Sequence, residues 1–180
     1  MIEKIKKDFS LITWFLIPVA IFINGAVGWV VAKLDLPVYF DTIGTVFIAV
    51  VAGPWVGALT GVLTNFILGI FSPGFIPYWP VPLCIGLVAG FCANKGMFKI
   101  WWKVVPAGFC IAITAVILST LIAMQIHGGV TSSISSFLIK EPVDKITVAL
   151  IAFSIAQILP KRFSAHLPHP ENIDTEESAK

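Results

Sequence analysis

An apolar stretch near the N-terminus is the feature that most constrains what this chain can fold into. Residues 11–32 form a run of 22 positions whose only polar members are Thr13 and Asn24. An α-helix needs about 20 residues to cross the hydrocarbon core of a bilayer. The run therefore predicts a full transmembrane helix, and Pro18 can bend such a helix without ending it.

The composition extends this prediction to the whole chain. Of the 180 residues, 57% are hydrophobic and 12% are charged, whereas a soluble domain carries about 25% charged residues. A water-soluble globule is excluded, and the 14 Phe and 6 Trp residues exclude a disordered chain. The net charge of +2 is spread out and does not indicate binding to nucleic acid. We expect a multi-pass protein of the plasma membrane, with one domain at 1–162 and a polar cytoplasmic tail at 163–180.

Five further apolar segments follow the first one along the chain. Gly53-Pro54 separates the second from the third. Residues 71–80 hold three prolines, one glycine and four aromatic residues, which predicts a stiff aromatic loop and no regular helix. Residues 126–140 predict a loop rich in Gly and Ser. The fold class is therefore predicted as an all-α bundle of six transmembrane helices, at 11–32, 41–52, 55–70, 81–93, 104–125 and 141–159.

The distribution of basic residues predicts the orientation of the bundle. Six crossings place both termini on one side, and nine of the twelve Lys and Arg residues then lie on that side. Because basic residues concentrate in the cytoplasmic segments of membrane proteins, we expect both termini in the cytoplasm.

Polar side chains within the apolar spans, or at their rims, are the candidates for binding a solute, since such groups are costly in a bilayer. Asn24 and Asn65 could bind a ligand or form hydrogen bonds between helices. Asp144 could orient a solute together with Lys145, or cap the helix that this region is predicted to begin. The predicted substrate-binding residues are Asn24, Asp41, Asn65, Phe75, Tyr78, Trp79, His127, Asp144 and Lys145.

Small residues recur at every fourth position of the first predicted helix. Ala20, Asn24, Gly28 and Ala32 would form a flat ridge that another helix can approach closely. The ridge could pack inside this bundle or dock onto a partner subunit.

Patterns typical of catalysis are missing from the sequence. It contains no phosphate-binding loop, no nucleophile motif, no paired catalytic carboxylates and no Cys/His spacing typical of a metal site. Cys84, Cys92 and Cys110 lie in apolar runs and are predicted to be small core residues. We therefore expect a protein that is not an enzyme and has no cofactor or bound metal.

Four short motifs indicate a family. They are FDTIGTV at 40–46, GPWVGALTGVLTN at 53–65, IGLVAG at 85–90 and EPVDK at 141–145. Together with the hydropathy they resemble the S component of energy-coupling factor (ECF) transporters, the substrate-binding membrane subunit of these vitamin importers. The resemblance implies six helices with cytoplasmic termini and a ligand beneath the outer loops at 33–40, 71–80 and 126–140.

The resemblance also implies partners. The ridge at Ala20, Asn24, Gly28 and Ala32 would face a transmembrane coupling subunit, and two cytoplasmic ATPase subunits would hydrolyse ATP. The ligand would be a vitamin or a vitamin precursor. An aromatic, weakly charged outer site fits a neutral or zwitterionic ligand of the pyridoxine, hydroxymethylpyrimidine, pantothenate, riboflavin or cobalamin type. A stand-alone small-solute transporter and a membrane sensor domain are the alternative interpretations.

Overall fold

The computed structural model describes residues 7–127 and 132–173, with the side chains of 127, 132–137, 161 and 162 excepted. This part of the chain contains helices and no strand. The α-helices are α1 (Leu11–Lys33), α2 (Ile43–Ala52), α3 (Pro54–Phe71), α4 (Pro80–Asn94), α5 (Trp101–His127), α6 (Ser132–Ile158) and α7 (Lys161–Ser164). Two 3₁₀ helices lie at Pro73–Tyr78 and Pro170–Asn172. The prediction of an all-α fold is confirmed.

Three of the helices have the length and apolar character needed to cross a membrane. They are α1, α3 and the Trp101–Ile126 portion of α5. Their outward surfaces carry large apolar side chains, and Leu11, Phe22 and Phe71 are each more than 70% exposed. Such a surface is costly in water and favourable against lipid chains. The structure therefore supports a membrane protein.

Helix α2 forms the centre of the bundle. Nine of its ten residues are buried, and it packs against α1, α3, α4 and α6. A helix that is apolar on every side is stable only when other elements surround it. With a rise of about 1.5 Å per residue, α2 is about 15 Å long, which is half the thickness of a bilayer core.

Close approach between α3 and α4 depends on glycine. A Cβ atom placed on Gly86 would overlap with the backbone of Gly57 and Ala58. The pair of glycines thus lets the two helix backbones touch, a packing mode typical of membrane helices.

Two predicted loops are helical in the structure. The aromatic segment forms the 3₁₀ helix Pro73–Tyr78, whose short i→i+3 turns accommodate Pro73 and Pro77. The prediction of a loop throughout 126–140 is wrong, because α5 extends to His127 and α6 begins at Ser132; residues 128–131 lie outside the described part. The prediction that residue 141 opens the last helix is wrong for the same reason. Pro142 lies inside α6, where a membrane helix tolerates proline.

The segment after α6 folds back onto the bundle. Leu167 and Ile173 are buried, and the Asn172 side chain donates a hydrogen bond of 3.0 Å to the carbonyl oxygen of Val50. His169 Nε2 lies 2.8 Å from Asp8 Oδ1, so the N-terminal and C-terminal segments meet at one end of the bundle. The region predicted as a polar tail therefore contributes to the packed structure as far as Ile173.

Candidate functional site

A cavity of about 780 Å³ lies at the end of the bundle opposite the paired terminal segments. Its walls come from the second half of α1, the end of α3, the start of α4, Ser119 of α5 and the first half of α6. The 34–42 loop and the Pro73–Tyr78 helix complete the enclosure. The cavity therefore lies where the described helices α1, α3, α4, α5 and α6 converge, beneath two of the three loops that were predicted to cover a ligand.

Aromatic rings supply much of the cavity wall. The aromatic lining residues are Trp29, Tyr39, Phe71, Phe75 and Tyr78. Asn65, which also lines the cavity, donates a hydrogen bond of 3.1 Å to the carbonyl oxygen of Phe75 and so attaches the 3₁₀ helix to α3. This bond holds the backbone that carries Phe75 and Tyr78, and the aromatic rings of the wall offer apolar faces to a flat solute.

A cluster of four charged side chains forms the polar part of the site. The ammonium nitrogen of Lys145 lies 2.5 Å from Asp144 Oδ2, 3.5 Å from Glu141 Oε2 and 3.6 Å from Asp41 Oδ1. It also donates a hydrogen bond of 3.2 Å to Thr42 Oγ1. Lys145, Glu141 and Asp41 line the cavity. The sequence predicted a weakly charged site, whereas the structure places three carboxyl groups and one ammonium group together in this cluster.

Asp144 lies behind the cavity wall and organises the loop between α1 and α2. Its Oδ1 atom accepts hydrogen bonds of 2.9 and 2.8 Å from the backbone N–H groups of Tyr39 and Phe40. Phe40 has a φ of 49°, the left-handed region that costs an L-residue about 1 kcal/mol or more. Since Asp144 is completely buried and lies in the interior of α6, the predicted capping role is wrong. Its carboxylate positions the loop.

Two carboxylate oxygens in the cluster have no hydrogen-bond partner among the described residues. They are Asp41 Oδ1 and Glu141 Oε2. Glu141 has only 6% of its side chain exposed, whereas Asp41 has 28% exposed towards the cavity. The cluster therefore contains two buried carboxylate oxygens that form ion pairs with Lys145 but no hydrogen bond within the described residues.

Asn24 does not reach the cavity. Its amide donates hydrogen bonds of 2.9 and 3.0 Å to the hydroxyl groups of Thr45 and Thr64, and its oxygen accepts one of 2.7 Å from the backbone N–H of Gly44. Of the two roles left open for Asn24, the structure supports hydrogen bonding between helices.

The small-residue ridge on α1 does not form a free docking face. Ala20 and Asn24 are buried, and a Cβ atom on Gly44 of α2 would overlap with the backbone of Ala20. Gly28 and Ala32 continue the same face into the cavity wall. Of the two roles left open for the ridge, the structure supports packing within the bundle for Ala20 and Asn24, while Gly28 and Ala32 border the cavity.

The structure brings together five of the predicted binding residues as cavity-lining groups: Asp41, Asn65, Phe75, Tyr78 and Lys145. Trp79 is 41% exposed at the start of α4 and is not part of the lining. The side chain of His127 lies outside the described residues. Sequence reasoning missed the lining residues Trp29, Tyr39, Thr42, Ser119 and Glu141.

A signal for Glu141 was present in the sequence. Glu141 and Lys145 are four residues apart, a spacing that brings two side chains together on one helix face. The sequence analysis did not use this spacing, because it predicted that the last helix begins at residue 141.

Comparisons of the chain with models of protein families, with curated proteins and with solved structures found no match.

The fold and the site by themselves define the class of the protein. The described residues form an all-helical bundle of the membrane type, with a cavity of the size of a small solute at one end. No group of three or more His, Cys, Asp or Glu residues in the described part of the chain is arranged to hold a metal ion.

Proposed function

We propose that the chain is a substrate-binding membrane subunit of the ECF S-component type, which binds a small water-soluble molecule and delivers it across the membrane. The observation that carries this proposal is the cavity of about 780 Å³ with its aromatic wall and its charged cluster. Binding sites for small molecules typically have volumes of about 300–1,000 Å³, apolar walls and a few polar groups. We propose a vitamin or vitamin precursor as the solute.

The proposed topology has six crossings and cytoplasmic termini. The excess of basic residues near the termini and the meeting of Asp8 with His169 at one end support it. In this orientation the cavity opens towards the outside, where an importer meets its solute. With ten residues, α2 is too short to span the bilayer core alone. In the proposed topology, the 34–42 loop and α2 together make the second crossing.

The proposed partners are a coupling subunit in the membrane and two cytoplasmic ATPase subunits. We place their contact on another surface than the α1 ridge, because Ala20 and Asn24 are buried within the bundle and Gly28 and Ala32 line the cavity. ATP hydrolysis belongs to the partners, since the chain has no phosphate-binding loop.

Affinity purification of the tagged chain from membranes of its own host tests the proposal. We expect one integral membrane subunit and two ATPase subunits to co-purify with it, and uptake of its solute to stop when the ATPases are inactivated. Solute transport by the chain alone in proteoliposomes, independent of ATP, would instead identify a stand-alone transporter and contradict the proposal.

A further inference from the structure

The charges around the cavity do not balance. Asp41, Glu141 and Asp144 contribute three carboxyl groups, and Lys145 is the one ammonium group within 4 Å of them among the described residues. In a site shielded from water, unbalanced charge is costly and favours uptake of the opposite charge.

The donors of Lys145 are too few for its neighbours. An ammonium group has three N–H donors, and two of them serve Asp144 and Thr42. The remaining donor faces both Asp41 Oδ1 and Glu141 Oε2, and neither oxygen forms a hydrogen bond in the described structure. At least one buried carboxylate oxygen of these two cavity-lining residues therefore lacks a donor.

Lys145 also determines which cation can enter. Its ammonium group occupies the point on which the three carboxyl groups converge. A bare metal ion would have to displace it, whereas an N–H group that extends from a larger solute can approach the carboxyl group of Asp41, whose side chain is 28% exposed, from the cavity that Glu141 also lines. The rings of Trp29, Phe75 and Tyr78 then lie along the cavity wall for an attached flat group.

We infer that the solute is a small organic cation, a flat ring with a positively charged amine or amidine group whose N–H donors bind Asp41 and Glu141. This inference rests on the proposed solute-binding function and names the chemical class of its ligand. It replaces the neutral or zwitterionic ligand that the sequence predicted.

Three single-ring probes of nearly equal shape test the charge class on the purified full chain. Benzamidine is a cation, benzamide is neutral and benzoate is an anion. Because charge-assisted hydrogen bonds are about twice as strong as neutral ones, we expect benzamidine to bind about tenfold more tightly than benzamide in calorimetric titrations. Benzoate is expected to bind most weakly.

Matched variants test whether the preference for the cationic probe depends on the carboxyl groups of Asp41 and Glu141. Glu141→Gln and Asp41→Asn preserve the side-chain shape and remove the charge, so each is expected to lower the benzamidine-to-benzamide ratio several-fold while benzamide binding persists. Glu171→Gln is the control, since Glu171 lies at the opposite end of the bundle beside His169. It should leave the ratio unchanged.

Each outcome decides the inference. Equal or tighter binding of benzamide or benzoate overturns the cationic class but leaves solute binding and partner co-purification intact. Absence of binding by all three probes also overturns it, because a single ring fits the cavity. If a variant fails to fold, the ratio measured on the unaltered chain still decides.

Discussion

Asn24 shows how a single polar residue joins three helices in an apolar interior. It belongs to α1, and its hydrogen bonds reach Gly44 and Thr45 of α2 and Thr64 of α3. All four groups are buried. Removal of the amide would leave the backbone N–H of Gly44 without this acceptor, and a buried unpaired group costs about 1–3 kcal/mol.

We therefore predict that Asn24→Leu lowers the free energy of unfolding by about 2 kcal/mol. Thermal or denaturant unfolding in detergent measures the change. Thr114→Val is the control, since the Thr114 hydroxyl donates its hydrogen bond within its own helix, to the carbonyl oxygen of Cys110. A loss in Asn24→Leu no larger than in the control would refute the structural role of the amide.

At the scale of helices, the α3–α4 contact depends on the absence of a side chain at Gly86. Gly86→Ala is predicted to separate the two helices slightly and to lower stability by about 2 kcal/mol, because the added methyl group would overlap with backbone atoms that cannot move aside easily. Gly74→Ala is the matched control. A Cβ atom on Gly74 meets nothing within 4 Å, so the same unfolding measurement should show little change. Equal losses in both variants would contradict the packing argument.

The contact between the N-terminal and C-terminal segments depends on the charge of His169. Its Nε2 lies 2.8 Å from Asp8 Oδ1 and its Nδ1 lies 3.0 Å from Glu171 Oε1. A neutral imidazole has one N–H group, whereas the imidazolium ion donates to both carboxylates. The hydrogen bond to Asp8, followed by that to Glu171, raises the pKa of His169 above its ordinary value of 6.5.

This pKa shift predicts a pH-dependent stability. Because the folded-state pKa is raised, the stabilisation is complete below the ordinary pKa of 6.5 and is lost as the pH rises through the folded-state value. Unfolding of the native chain and of His169→Gln should therefore differ most near about pH 5.5 and least near about pH 8.5. Glu171→Gln should reduce the pH dependence, since it removes one carboxylate. A constant difference across this range would contradict the prediction.

At the scale of the whole molecule, the apolar runs predicted the helices that lie against lipid or core. The limits of α1 and the break at Gly53-Pro54 agree with the structure within a few residues, because apolar length and a Gly-Pro pair act locally. The start of α6 at Ser132 could not be predicted in this way. Its Ser-rich first turns resemble a loop in composition, and extensive packing between α5 and α6 stabilises the helix.

The site was predictable only in part for a related reason. Asp41, Asn65 and Lys145 are polar groups in apolar surroundings, which the sequence displays directly. Asn24 and Asp144 are also polar groups in apolar surroundings, yet neither lines the cavity. Asn24 forms hydrogen bonds to another helix, and Asp144 accepts hydrogen bonds from the backbone of Tyr39 and Phe40. Which face of a helix borders the cavity depends on long-range packing.

The central claim is that the cavity holds a small solute, and blocking it is the most direct test. Gly74 lines the cavity, and a Cβ atom on it meets nothing within 4 Å, so Gly74→Trp adds a large ring at the cavity wall without steric overlap at its Cβ and is expected to reduce the space for a solute. Ser154→Trp places the same ring on an exposed surface of α6 and is the control. The measurement is mass spectrometry of the small molecules that each purified chain carries. We predict a bound solute in the native chain and in Ser154→Trp, and little or none in Gly74→Trp. Equal amounts in both variants, or no solute in the native chain, would contradict the account.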